Sequence, residues 1–390
     1  MISKTPTYQT ILLVLLLLNN PQCAKADHEE GHLDYSYLNV TLPKPLSDMT
    51  ATYVSSKIYL FGGCDSAKGN ERSPGDEYFY CTSLSKSAYA FDPASETFEV
   101  LKDMPRERYR HTAAAVEGKI WVLGGRDVAD DIITEVDVYD PTTNTWNTPT
   151  SIPQITSDLT SFSHSTTLYV TGGYDQGYTA TNATFSIDTS SSSDLLGNII
   201  TRANLTTARG DIHAVTEGGY AYVTGGFTHE DEWCAPHNSV ERYSLEEDEW
   251  VEMDGLEVGR ADKALVAVNG LIIAMGGETK SACDGDPAHA TKPINDVEVL
   301  KVRRDGIDAE WENMHPLPDD RFRFTAAPDP ESSSVYVFGG QKFFDKDCNC
   351  FATSDLVLKY DVPSMSGSAR SGGVWGVVVG VMIGFGALFV

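Results

Sequence analysis

Positive charge is scarce in this chain. Its 29 Lys and Arg face 56 Asp and Glu, a formal net charge of −27. That balance leaves no basic footprint for a phosphate backbone, so nucleic acid is excluded as a partner. Catalytic signatures are also missing: there is no nucleotide-binding glycine loop, no nucleophile elbow and no His-Glu-x-x-His. Cysteines number seven with no Cys-x-x-Cys pair, which removes the common zinc-site spacing. The longest apolar stretches lie at the two ends. The acidic surface fits an exported protein or one attracting cations and basic partners.

The N-terminal end reads as a secretory signal over 1–26. Lys4 precedes the apolar run Ile11 to Leu18, and Ala24-Lys25-Ala26 supplies the small-x-small cleavage pattern. That run is too short to span a bilayer. The sequons at Asn39, Asn182 and Asn204 suit a glycosylated, exported surface.

Cys23 leaves with the signal. The six left are Cys64, Cys81, Cys234, Cys283, Cys348 and Cys350. Six cysteines allow fifteen pairings. The expected bridges are Cys64 with Cys81 inside one loop and Cys234 with Cys283 between neighbouring loops. A Cys348–Cys350 ring would be strained, so those two pair elsewhere. Residues 362–373 form a small, polar linker. From 374 to 390 the chain is apolar, with glycines at 372, 376, 380 and 384. Two readings stay open for this tail: a GPI-attachment signal, or a glycine-faced transmembrane helix. Either one puts the remainder outside the cell, with membrane contact through the tail only.

What is plentiful is a repeated strand ending in Gly-Gly. Ile58-Tyr-Leu-Phe-Gly-Gly63 and Ile120-Trp-Val-Leu-Gly-Gly125 are two of six copies, whose first glycines fall at 62, 124, 172, 225, 276 and 339. Spacings of 48 to 63 residues, with room for four short strands each, mark a radial array over 33–361. Within the second unit, His111 to Val116 and Lys119 to Leu123 flank a tight Glu117-Gly118 turn. Val136 to Asp140 follows a polar loop, and Trp146 opens an outer strand. Tyr139 and Trp146 recur as Tyr243 and Trp250. Trp311 takes the tryptophan place in the fifth unit and Phe98 in the first. These aromatics should pack between sheets.

Gly-Gly, a later Tyr-Asp, Trp about six residues on and Met-Pro-x-x-Arg before the next unit together resemble kelch repeats. Met104-Pro105 with Arg108 shows the last element; the third unit departs most, since Ile187-Asp188 lacks the tyrosine and no tryptophan follows. The resemblance implies an all-β, six-bladed propeller. Only three strands follow for the sixth blade, so Tyr35 to Leu42 is expected to supply its fourth and close the ring.

Counting fourteen residues back from each first glycine gives Asp48, Arg110, Asp158, Asp211 and Asp262. A longer turn puts Arg323 in the sixth place. These six should ring one mouth of the central channel, where they either pair with one another or meet a ligand. In kelch domains the position resembles one that contacts partners. Two residues earlier lie Arg108, Arg209, Arg260 and Arg321, expected to bond neighbouring backbone carbonyls. The clusters His229-Glu-Asp-Glu232 with His237, and Asp284-x-Asp286 with His289, lie on long loops. They lack zinc or EF-hand spacing, so neither a metal nor a cofactor is expected.

The expected function is recognition of an extracellular protein or glycan at the cell surface. The alternative is a sugar-modifying enzyme. Exported kelch propellers include enzymes similar to galactose oxidase and to sialic acid mutarotase. The inner strands offer His111 and His213 but no cysteine for the oxidase crosslink. The Asp/Arg ring could supply acid–base groups to an epimerase.

Overall fold

The computed structural model describes residues 35–65, 71–72, 79–190, 199–228, 235–280, 291–302, 310–345 and 350–362. The leader, the tail, Cys234, Cys283, Cys348 and the two metal-ligand clusters other than His237 lie outside these residues. Among the described residues every element is a strand, and six antiparallel sheets of four strands account for most of them.

The second blade shows how sequence makes a sheet. Thr112–Val116 pairs with Lys119–Leu123, which pairs with Glu135–Asp140, which pairs with Thr145–Ser151. Glu117 and Gly118 turn the first hairpin with φ of 49° and 75°, a two-residue turn whose twist suits the strands. The middle strands are buried on both faces because neighbouring blades cover both. Ile120 to Leu123 is therefore continuously apolar rather than alternating. The outermost strand, Thr145–Ser151, has no strand beyond it and is mostly polar. The third blade completes its fourth strand with Ile199–Arg202 despite lacking the tyrosine and tryptophan.

The hydrophobic core is six layers, one between each pair of neighbouring blades. Tyr139 and Trp146 of the second blade pack on Phe61 of the first, with ring centroids 5.4 and 5.0 Å away. Tyr243 and Trp250 repeat this against Phe162. Each tryptophan also donates its indole N–H backwards to a carbonyl of the preceding blade: Trp146 to Lys102, Trp250 to Ala203 and Trp311 to Asp254. Aromatic burial thus drives blade stacking, and the indole bond fixes its register.

The ring closes as expected. Tyr35–Thr41 pairs with Leu356–Asp361, and Tyr35 stacks on Tyr360 at 4.6 Å. Innermost strands touch their neighbours all the way round, the sixth meeting the first.

One blade departs from the repeat. In the fifth, the strand does not stop at Gly276-Gly277 but runs on as Leu271–Lys280 with a bulge, pairing with Thr291–Lys301. Extended hairpins also rise from the sixth blade, Gln341–Asp345 with Cys350–Thr353, and the first, Glu71–Arg72 with Phe79–Tyr80. Cys64 and Cys81 form a disulfide at the foot of the first-blade hairpin, with Cα atoms 5.8 Å apart.

Candidate functional site: the channel mouth

The geometry of the mouth starts from glycine. Both glycines of the second pair have positive φ, and a Cβ on Gly124 would sit 2.5 Å from the Thr156 carbonyl of the next blade. That closeness serves a hydrogen bond: Gly125 N–H donates to Thr156 O at 3.2 Å. The second glycines 63, 173, 226, 277 and 340 do the same to Arg108, Arg209, Arg260, Arg321 and Leu46. No side chain fits where backbones approach so closely.

Inside that belt lies a second one. Asp48 N–H donates to Arg323 O, Arg323 to Asp262, Asp262 to Asp211, Asp211 to Asp158, Asp158 to Arg110 and Arg110 to Asp48, at 2.9 to 3.3 Å. The six sequence-selected residues therefore form one closed backbone ring. All six adopt the left-handed conformation, with φ between 48° and 56°. None is glycine, although the conformation disfavours larger side chains.

Their side chains are unevenly paired. Arg110 Nε lies 3.6 Å from Asp158 Oδ1 and 4.0 Å from Asp48 Oδ1. Arg323 Nε lies 2.9 Å from Asp262 Oδ2 and 3.9 Å from Asp48 Oδ1. Asp211, opposite Asp48, accepts at its Oδ2 from Tyr174 OH at 2.8 Å, and the Arg110 charge also acts on it. The five charged side chains in ion pairs are only 3 to 12% exposed, so they face the channel rather than the solvent rim.

Electrostatics follow the pairing. Burial, then Asp262 and Asp158, push the Asp211 carboxyl well above the usual carboxylate range. Burial also raises Asp48, against the pull of Arg323 and Arg110. For Asp262 burial acts upward, but Arg323 with Arg110 holds the carboxyl below its ordinary value. Burial keeps the lining histidines neutral, with His111 lowered to about 3 and His213 to about 4.

Below the ring, one side chain per blade plugs the space under the glycines: Met49, His111, Leu159, Ile212, Lys263 and Phe324. Lys263 is the exception to their neutral character. It is fully buried, donates to Thr224 O at 2.5 Å, and is lowered to about 7 by burial and by Arg209 and Arg260. The open cavity lined by the ring, His213 and the plugs other than Lys263 measures about 50 Å³. It has room for a few waters, whereas small-molecule pockets run to roughly 300–1,000 Å³.

The recurrent arginines are structural, as expected. Arg108, Arg209, Arg260 and Arg321 donate to the first-glycine carbonyls of Gly124, Gly225, Gly276 and Gly339. Three also pair with a buried acid on the third strand: Asp137, Glu241 and Glu298. In the first and third blades arginine and acid are both replaced, by Leu46 with Tyr89 and Thr156 with Phe185. In the sixth, Leu358 stands at the acid's register position, and Arg321 pairs with Asp319 instead.

Other selected residues fare differently. Asn39 and Asn204 are exposed. Asn182 is half-buried and donates to Leu205 O, as Asn238 does to Leu256 and Asn295 to Leu317. Neither Asn238 nor Asn295 lies in a sequon, so the recurrent asparagine has a structural job at this position. His237 is placed with its backbone N–H on Gly226 O. Among the described residues no group of three or more His, Cys, Asp or Glu gathers as a metal site. Sequence reasoning missed Tyr174 and Lys263. The signal was there for Tyr174: the residue after each Gly-Gly reads Cys64, Arg126, Tyr174, Phe227, Glu278 and Gln341. Each of them bridges to the residue just before the ring.

Residues 48–277 match the KLHDC2/KLHL20/DRC7 Kelch-repeats domain. The chain belongs to the kelch-repeat family. Among curated relatives, beta-scruin of Limulus polyphemus is 28% identical over 36% of this chain and 15% of its own length. Kelch-like protein 40 of Mus musculus is 23% identical over 71% of this chain and 41% of its own. The match thus spans less than half of either kelch relative. The solved structure of YjhT superposes with a TM-score of 0.62 at 17% identity, covering 82% of this chain and 96% of that one, a likeness of fold.

Proposed function

We propose that this kelch propeller is a cell-surface binding module that presents its loop face to a protein partner. The observation that carries this reading is the mouth: a ring of charges around about 50 Å³ offers contacts but no chamber for a substrate. Asp211, with its raised carboxyl, is a group at the mouth suited to acid–base chemistry, but a sugar ring would not fit beside it. The three hairpins standing on blades five, six and one add surface to the same face, and Phe343 on the sixth is 63% exposed. Loops on a rigid scaffold are where recognition usually resides. The leader, the exposed sequons at Asn39 and Asn204 and the Cys64–Cys81 bridge support an extracellular setting. The tail from 374 to 390 would anchor the module by either route left open above.

Cross-linking on cells followed by peptide mapping tests the reading. Lys292 and Lys342 lie on the loop face, whereas Lys57 and Lys119 follow the turns of the opposite face. Partner cross-links at the first pair are expected. Cross-links confined to Lys57 and Lys119 would overturn the loop-face reading. A glycan array run in parallel, if positive where no protein cross-links, would replace the protein partner by a sugar.

A further inference from the structure

The charge of the mouth is polarised. Going round the ring, Arg323, Asp48 and Arg110 belong to blades six, one and two, while Asp158, Asp211 and Asp262 belong to three, four and five. Both arginines flank Asp48, so the opposite arc is three acids in a row with Asp211 at its centre. The loop face repeats this asymmetry. The loops of blades two and three carry Asp127, Asp131 and Asp175, and their single cation, Arg126, is buried beneath Tyr178 at 3.8 Å. On this face Lys280, Lys292 and Lys342 stand across the mouth on blades five and six.

A second observation points to a ligand. Asp158 is 8% exposed, lines the cavity, and its Oδ2 has no hydrogen-bond donor. A buried carboxylate oxygen left without a donor is costly unless something supplies one. Its neighbour Asp211 accepts from the Tyr174 hydroxyl and stands in side-chain hydrogen-bond contact with Asp158.

We propose that the mouth receives the ammonium group of a lysine from a protein partner, seated between Asp158 and Asp211, with further basic residues of that partner over the acidic loops of blades two and three. An ammonium presents three donors on a narrow stem, so it matches a cavity of about 50 Å³. The ligand set for a metal ion is not gathered among the described residues. The inference rests on the loop-face reading above and names the chemistry of that partner.

The test uses the full chain from a secretory host and a fluorescein-labelled hexalysine peptide, followed by anisotropy at physiological salt. Saturable binding is expected. Asp211→Asn, which keeps an acceptor for Tyr174, is expected to weaken it about tenfold, whereas Glu96→Gln on the opposite face changes it less than about twofold. Equal weakening by both variants would reduce the effect to diffuse surface charge and overturn the seat. Unchanged affinity in Asp211→Asn, or displacement of the peptide by millimolar calcium alone, would also overturn it. Matching melting curves for wild type and Asp158→Asn, with the same loss of peptide binding, guard against misfolding of a single variant. Cross-links that stay at Lys292 and Lys342 while hexalysine fails to bind would sink this inference and leave the loop-face reading intact.

Discussion

Asp48 N–H donates to the carbonyl of Arg323 at 2.9 Å, and this bond joins the first inner strand to the sixth. Its counterpart at the periphery is the pairing of Tyr35–Thr41 with Leu356–Asp361. Deleting 35–41 would leave Leu356–Asp361 as an open edge and strip Tyr360 of its stacking partner. The expected outcome is a melting temperature lower by about 10 °C and a shift to larger species on size exclusion. An unchanged melt and elution would mean that the inner belt alone holds the ring shut.

Lys263 occupies a place that the other blades give to Met49, His111, Leu159, Ile212 and Phe324. Its folded pKa lies below the unfolded value, so the stability it supports is present above about 10 and is lost as pH falls toward about 7. Lys263→Met should therefore stabilise the protein at pH 7 by about 2 kcal/mol, and by less near pH 10. Urea titrations at the two pH values check both size and trend.

Asp211 titrates in the opposite sense. A carboxyl raised in the folded state stabilises fully below about 4, its unfolded value, and loses that contribution as pH rises through the folded pKa. Asp211→Asn should melt higher than wild type at pH 8, with the gap closing toward pH 4. A constant gap across this range would show that Asp211 carries no raised titration.

In the first and third blades the arginine and its acid are replaced together, so the two should be coupled. Glu298 accepts from Arg260 and from the backbone N–H groups of Glu257 and Val258. Glu298→Tyr alone leaves a buried guanidinium without its carboxylate and should cost about 3–5 kcal/mol. Adding Arg260→Leu reproduces the Leu46 and Tyr89 pair of the first blade and should restore part of that loss. Chemical denaturation of the double-mutant cycle reads the coupling directly.

The six blades and the ring at the mouth were legible in the sequence because each depends on local spacing, and the closing strand because the sixth unit is one strand short without it. Gly-Gly marks the close approach, and a fixed count back from it lands on the inner-strand start. Even Arg323, displaced by the turn ending at Ser333, falls into place. Legibility stopped where partners come from different blades. Nothing near Asp211 in the chain announces Tyr174, thirty-odd residues earlier. The uneven sharing of two arginines among four acids likewise depends on circular order, which a linear count does not weigh. Lys263 was hidden for a related reason: its depth is set by Gly225 of the preceding blade. The strand that runs through Gly276-Gly277 shows that the glycine pair fixes the approach of backbones and does not itself end the strand.

The sixth sheet runs in the order Tyr35–Thr41, Leu356–Asp361, Ser334–Phe338, Thr325–Asp329. The latest of these to leave the ribosome thus sits inside the sheet, flanked on both sides. The first strand to be made has no partner until more than three hundred residues have followed it. Five blades can be assembled in order of synthesis, but the circle is sealed only after residue 361 emerges. During that interval the apolar flank of the first blade is open to solvent, and a folding helper that shields it would act on the nascent chain at that stage and at no later one.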